Sequence, residues 1–181
     1  MTPEGKKLIV LGVTGSIAAF KAADLCSKLA REFEVQVIMT ENACRFVTPV
    51  TFRTLSRRPV ITTLWADESL WRPRHVELAD EAALFAVVPA TANFFAKAAN
   101  GIADDALTTF AATYGGKHIY APAMNPRMWA HPACVANVQT LRERGAIFAG
   151  PADGSVACGA GGRGRMIEVP EIMEIIHKEI N

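Results

Sequence analysis

The chain has 181 residues, enough for one domain, 1–181, that buries a core without disulfide or metal staples. Its 19 Lys and Arg stand against 18 Asp and Glu, which leaves no basic footprint for nucleic acid and no polybasic patch for a membrane surface. Half of the residues are hydrophobic but lie in short runs, none near the roughly 20 apolar residues of a membrane span, and the N-terminus has no signal-peptide pattern, so a soluble, cytoplasmic protein is expected.

In chain order, Leu8–Val13 is a branched apolar run that reads as a strand, followed by a glycine turn and a helical pattern over Ala18–Leu29. Val35–Met39 and Leu84–Val88 read as further strands, as do His118–Ala121 and Ala146–Ala149. Helices are expected over Val50–Leu55, Ala92–Asn100, Ala106–Thr113, Pro132–Arg144 and Pro170–Glu179, with a further helix starting at Val76. Continuous apolar strands alternating with helices predict a doubly wound α/β fold with a parallel sheet covered on both faces. Ligands of such sheets sit at the carboxyl ends of the strands. The irregular stretch Trp65–His75 (WADESLWRPRH) carries two Trp and two Arg and is expected to border a site or a subunit contact.

Four cysteines, Cys26, Cys44, Cys134 and Cys158, form no CxxC pair and have no His at metal-ligand spacing, which points away from zinc and from a redox dithiol. The first three are assigned to the core. Cys158 differs, because it lies among Gly159, Gly161, Gly162 and Gly164 with two arginines. Such a tract is either a lid ordered by a ligand or a plain connector before the last helix.

The turn after the first strand, Gly12 to Ala18, offers backbone N–H groups and the Ser16 hydroxyl to a phosphate, or is a tight strand-to-helix turn of small residues. Thr40, ending the second strand, is placed to meet a ribityl or ribose hydroxyl. Two later strands run into Pro89-Ala-Thr-Ala-Asn93 and Pro122-Ala-Met-Asn125, each a proline and small residues with an asparagine able to donate and accept. His75, closing the Trp-Arg stretch, is a helix cap or a general base. His118, His131 and His177 have blander settings.

These ordered motifs resemble the homo-oligomeric flavin-containing cysteine decarboxylases: Gly15-Ser16-Ile17-Ala18-Ala19 with Lys21, then His75, PATAN, PAMNPRMW, and ACG…GRM from Ala157 to Met166. The resemblance runs from about Leu8 to the last helix. It implies FMN contacts at Gly15, Ser16, Ile17 and Thr40, with the flavin ring near Ala90, Thr91, Ala92, Asn93 and Ala123. It further implies His75 as base, Asn125 as anchor of a substrate carboxylate, Cys158 as proton donor, and Ser155, Ala157 and Met166 as substrate-facing lid residues. Where the family has an acidic residue after ACG, this chain has Ala160.

The implied chemistry accounts for those residue types. A cysteine carboxylate has no electron sink for the carbon that loses CO2, and oxidation of the thiol to a thioaldehyde supplies one. A lid cysteine then allows the enethiol to be reduced, which favours the branch acting on 4'-phosphopantothenoylcysteine and releasing 4'-phosphopantetheine in coenzyme A biosynthesis. The alternative branch decarboxylates a peptide's terminal cysteine and stops at the enethiol. The family also implies self-association as a trimer or dodecamer, a small-molecule substrate, and a phosphopantothenate–cysteine ligase, either separate or fused.

Overall fold

The computed structural model describes residues 5–65, 73–155 and 161–180. Five strands, β1 (Leu8–Val13), β2 (Glu34–Met39), β3 (Ala82–Ala90), β4 (His118–Pro122) and β5 (Ile147–Phe148), form a parallel sheet in the order β2-β1-β3-β4-β5. The expected doubly wound α/β architecture is what the chain adopts.

The strands are mostly apolar because both faces are covered, with Gln36 of β2 as a buried polar exception whose amide donates to Pro59 O at 2.7 Å. Ile9, Leu11 and Val13 of β1 pack with Val35, Val37, Leu84 and Ala86 under the helices α1 (Ala19–Glu32), α3 (Pro49–Ser56) and α9 (Val169–Ile180). Their alternate neighbours Leu8, Val10, Phe85 and Val87 face the other way, under α4 (Arg74–Glu81), α5 (Ala92–Asn100), α6 (Ala106–Thr113) and α8 (Pro132–Glu143). β1 and β3 thus show period-two alternation in direction with no alternation in polarity.

Two short helices, α2 (Glu41–Cys44) and α7 (Pro126–Trp129), were not expected from periodicity, since a single turn is too short to show one. Helix α1 also runs three residues beyond its expected end at Leu29. A second sheet pairs β6 (Ala152–Ser155) with β7 (Gly161–Arg165) in antiparallel fashion. Sequence reading took this glycine-rich segment as lid or connector. Two of its glycines have a packing reason: a Cβ on Gly164 would stand 2.5 Å from the Met124 carbonyl oxygen, and Gly162 holds φ +131° against Pro126. Among the described residues no helix is long and apolar enough to cross a membrane.

Candidate active site at the strand ends

The strand order reverses direction between β1 and β3, because β2 lies to one side of β1 and the later strands to the other. Such a switch point opens a crevice at the carboxyl ends of the strands. The turns that follow β1 and β3 are the Gly15-Ser16 turn and the Pro89–Asn93 turn, so the sheet brings together the two motifs that the sequence marked for a ligand.

A row of hydrogen bonds fixes these turns against one another. Thr40 N donates to Val13 O at 3.0 Å, joining the end of β2 to the end of β1. The buried Thr14 hydroxyl donates to Pro89 O at 2.7 Å and accepts from Thr91 N at 3.2 Å. Ala123 N donates to Ala90 O at 3.1 Å, and Met124 N to Gly164 O at 3.0 Å, carrying the row from β3 through β4 to β7. Sequence reasoning passed over Thr14. Its signal is a hydroxyl directly after an apolar strand, where burial obliges it to find partners.

Gly15 is required by packing, since a Cβ there would meet the Asn42 Cβ of α2 at 2.5 Å. Ser16 Oγ accepts from Ala18 N at 3.3 Å, and among the described residues the N–H groups of Gly15 and Ile17 have no acceptor. Ile17 is exposed, Thr40 caps α2 by accepting from Ala43 N at 3.2 Å, and Ala90 and Ala123 are buried flush with the strand ends. Donor N–H groups beside small side chains suit a phosphate followed by a flat ring.

The two asparagine turns are not equivalent, although their sequences look alike. In the first, Thr91 caps α5 by accepting from Phe94 N at 3.4 Å, which leaves Asn93 exposed within the first helical turn next to Ala92. In the second, Asn125 is itself the cap of α7, its Oδ1 accepting from Arg127 N at 2.8 Å. Any bond that Asn125 gives a carboxylate therefore comes from its amide N–H2.

His75 lies inside α4 and does not cap it; Pro73 holds that position. Helix α4 runs into β3 without a loop, and His75 is half-buried in its first turn. Met166, just past β7, is buried in the core with Ala123 and Val13. Lys21 of α1 pairs with Glu168 at 2.8 Å and holds its carboxyl below the usual range. Ala157, Cys158 and Ala160 lie outside the described residues, as does 66–72 of the Trp-Arg stretch. Trp65 is exposed.

A cleft of about 460 Å3 opens beside this row, between α5, α7 and α8. Ala92 lines both the cleft and the β3 turn; Arg127 and Met128 of α7 and His131, which caps α8 through Nδ1, form its rim. Sequence reasoning missed the cleft, because its walls meet only in the folded chain.

Burial pushes the Cys26 thiol up to about 12 and also raises Cys134 and Cys44. Cys26 and Cys134 are core residues as expected; Cys44 is only half-buried. Among the described residues no group of three or more His, Cys, Asp or Glu is placed to hold a metal.

The flavoprotein family matches residues 1–181. The coenzyme A biosynthesis bifunctional protein CoaBC of Bacillus subtilis is 44% identical over 171 residues, covering 94% of this chain and 42% of that protein. The chain thus spans less than half the length of this relative. A cysteine-to-serine mutant of a PPC decarboxylase complexed with pantothenoylaminoethenethiol superposes with a TM-score of 0.86 at 27% identity, covering 96% of this chain and 98% of that one. The FMN-dependent cysteine decarboxylase SpaF superposes with a TM-score of 0.82 at 30% identity, covering 96% and 95% of the two chains.

Proposed function

The chain belongs to the flavoprotein family, and on that premise we propose that it is a phosphopantothenoylcysteine decarboxylase, using FMN to convert 4'-phosphopantothenoylcysteine to 4'-phosphopantetheine in coenzyme A biosynthesis. The observation that carries this reading is the bonded row of strand-end turns at the switch point, in a chain 44% identical to a coenzyme A biosynthesis protein. The Gly15 and Ile17 N–H groups and the Ser16 hydroxyl would hold the FMN phosphate. Ala90, Thr91, Ala92, Asn93 and Ala123 would border its ring, and Thr40 its ribityl chain. Bound there, the flavin supplies the two-electron oxidation that turns the substrate thiol into an electron sink, and the electrons that complete the product.

The chain's own residues do the rest. The Asn125 amide donates to the substrate carboxylate and fixes the bond that breaks. His75 takes the thiol proton as the carbon loses hydride. CO2 then departs and its electron pair remains in the enethiolate. Cys158 delivers the proton to carbon in the final reduction, which distinguishes full turnover from release of the enethiol. Ser155 and Ala157 belong to the segment closing over the substrate, and Met166 anchors the chain after that segment in the core.

One domain spanning 1–181, acting in the cytoplasm as a trimer or dodecamer with a phosphopantothenate–cysteine ligase as partner or fused neighbour, completes the reading. Exposed Ile17 and Phe20 beside the phosphate turn support burial by a second copy.

The test is to incubate purified protein with 4'-phosphopantothenoylcysteine and weigh the product. Loss of CO2 alone supports the proposal, and loss of CO2 plus two hydrogens assigns the chain to the enethiol-forming branch. Absence of flavin absorbance together with no uptake of added FMN rejects both.

A further inference from the structure

We propose that Arg127 and the cleft between α5, α7 and α8 form the subsite for the phosphorylated arm of the substrate. This deepens the decarboxylase reading and rests on it for the identity of the ligand.

The molecule to be held has a carboxylate and thiol at one end and a phosphate monoester at the other, joined by two amides and a branched hydrocarbon. The strand-end row accounts for the cysteine end and for the cofactor. It offers nothing to a second phosphate. The cleft begins where the row stops: Ala92 comes from the β3 turn, and Arg127 and Met128 come from the helix that Asn125 caps. On this proposal a substrate anchored at Asn125 extends its arm over α7 into this space.

Its lining matches the arm in character. Among the described residues neither Asp nor Glu lines the cleft, whereas Arg127 and His131 do. Among the described residues the Arg127 guanidinium has no ion-pair partner, unlike Arg58, held by Glu34, or Arg74, held by Glu77 at 3.2 Å. A phosphate monoester carries close to two negative charges near neutral pH and fits the planar fork of an arginine. Between the charges, Ala92, Ala96 and Met128 offer apolar surface for the branched hydrocarbon, and Asn137 an amide for the arm's amides. At about 460 Å3 the cleft is in the size range of small-molecule sites.

Arg127 is exposed on a one-turn helix and among the described residues its side chain bonds no other element, so Arg127→Gln is expected to leave the fold intact. The experiment compares kcat/KM for 4'-phosphopantothenoylcysteine and for unphosphorylated pantothenoylcysteine in the flavin-loaded wild type and in Arg127→Gln, with bound-flavin absorbance as the check on folding. The expected result is that the preference for the phosphorylated substrate shrinks on the order of 10- to 100-fold, the scale of a lost charge-assisted hydrogen bond, chiefly through KM. An unchanged preference overturns the proposal, whether both activities fall together or neither moves. If the wild type turns over neither compound, the decarboxylase reading falls. Calorimetric titration of wild type and Arg127→Gln with 4'-phosphopantothenate and with pantothenate then decides the cleft separately. Tighter binding of the phosphorylated compound that disappears in the variant supports the subsite, and equal binding of the two overturns it.

Discussion

The two faces of the sheet are filled in different ways. Under α1, α3 and α9 the packing is aliphatic, with Phe52 as its fully buried ring, and Leu25, Leu29, Ile172 and Ile176 reach 0% exposure against the strands. Under α5, α6 and α8 it is aromatic. Phe85 stands edge-on to Phe110, Tyr114, His118 and Tyr120, with centroids 5.0 to 6.4 Å apart, and Tyr120 in turn meets Phe94 and Phe148. Aliphatic side chains settle for matched volume, whereas rings constrain angle as well. The aromatic side also contains a polar link. His118 Nε2 lies 3.0 Å from Tyr114 O and Nδ1 lies 2.7 Å from Tyr120 Oη. A carbonyl only accepts, so Nε2 carries the proton and the Tyr120 hydroxyl donates to Nδ1. The aromatic face is therefore the one whose geometry is specified twice, by ring edges and by hydrogen bonds.

Phe85→Ala should break that face most severely, at about 3–5 kcal/mol in urea denaturation, because four ring contacts end in a void that neighbouring rings cannot fill. Tyr120→Phe removes only the hydroxyl and should cost about 1–3 kcal/mol, since it leaves Nδ1 of the half-buried His118 without its donor.

The same link has a pH signature. Burial lowers the His118 pKa against the opposing bond to Tyr114, so the folded protein resists a proton that the unfolded chain accepts near pH ~6.5. Stability present above that value should fall as pH drops below it toward the folded pKa, and His118→Phe should flatten the slope between about pH 7.5 and about pH 5.5. A slope of equal steepness in that variant would remove His118 from the account. Across the sheet, Ile176→Val should cost only about 0.5–1.5 kcal/mol and add no pH dependence. A cost as large as that of Phe85→Ala would erase the contrast between the faces.

Much of this was legible in the chain itself, for a physical reason. The runs of β1 and β3 are apolar because both faces are buried, β2 reads the same way apart from Gln36, and α5 and α6 begin and end where their caps and apolar spacing place them. Contacts between distant segments were not legible. Nothing local announces that Thr14 bonds Pro89 and Thr91, that Gly164 presses on Met124, or that α5, α7 and α8 enclose a cleft. The two asparagine turns show the same limit on a small scale: Pro89–Asn93 and Pro122–Asn125 look alike but resolve differently, because Thr91 takes the cap in the first and Asn125 takes it in the second.

The Thr14 hydroxyl also joins parts of the chain that are made at different times. It joins segments 75 residues apart, and β1 pairs with β2 on one side long before β3 exists to pair on the other. While the chain emerges from the ribosome, the first turn waits open on a half-built sheet with one apolar edge uncovered. Its partner arrives only with Thr91, and the floor is complete only with Ala123. The bonded row is thus incomplete until two-thirds of the chain is out, and a translation product truncated within α4 would hold the glycine turn without the later turns it is bonded to.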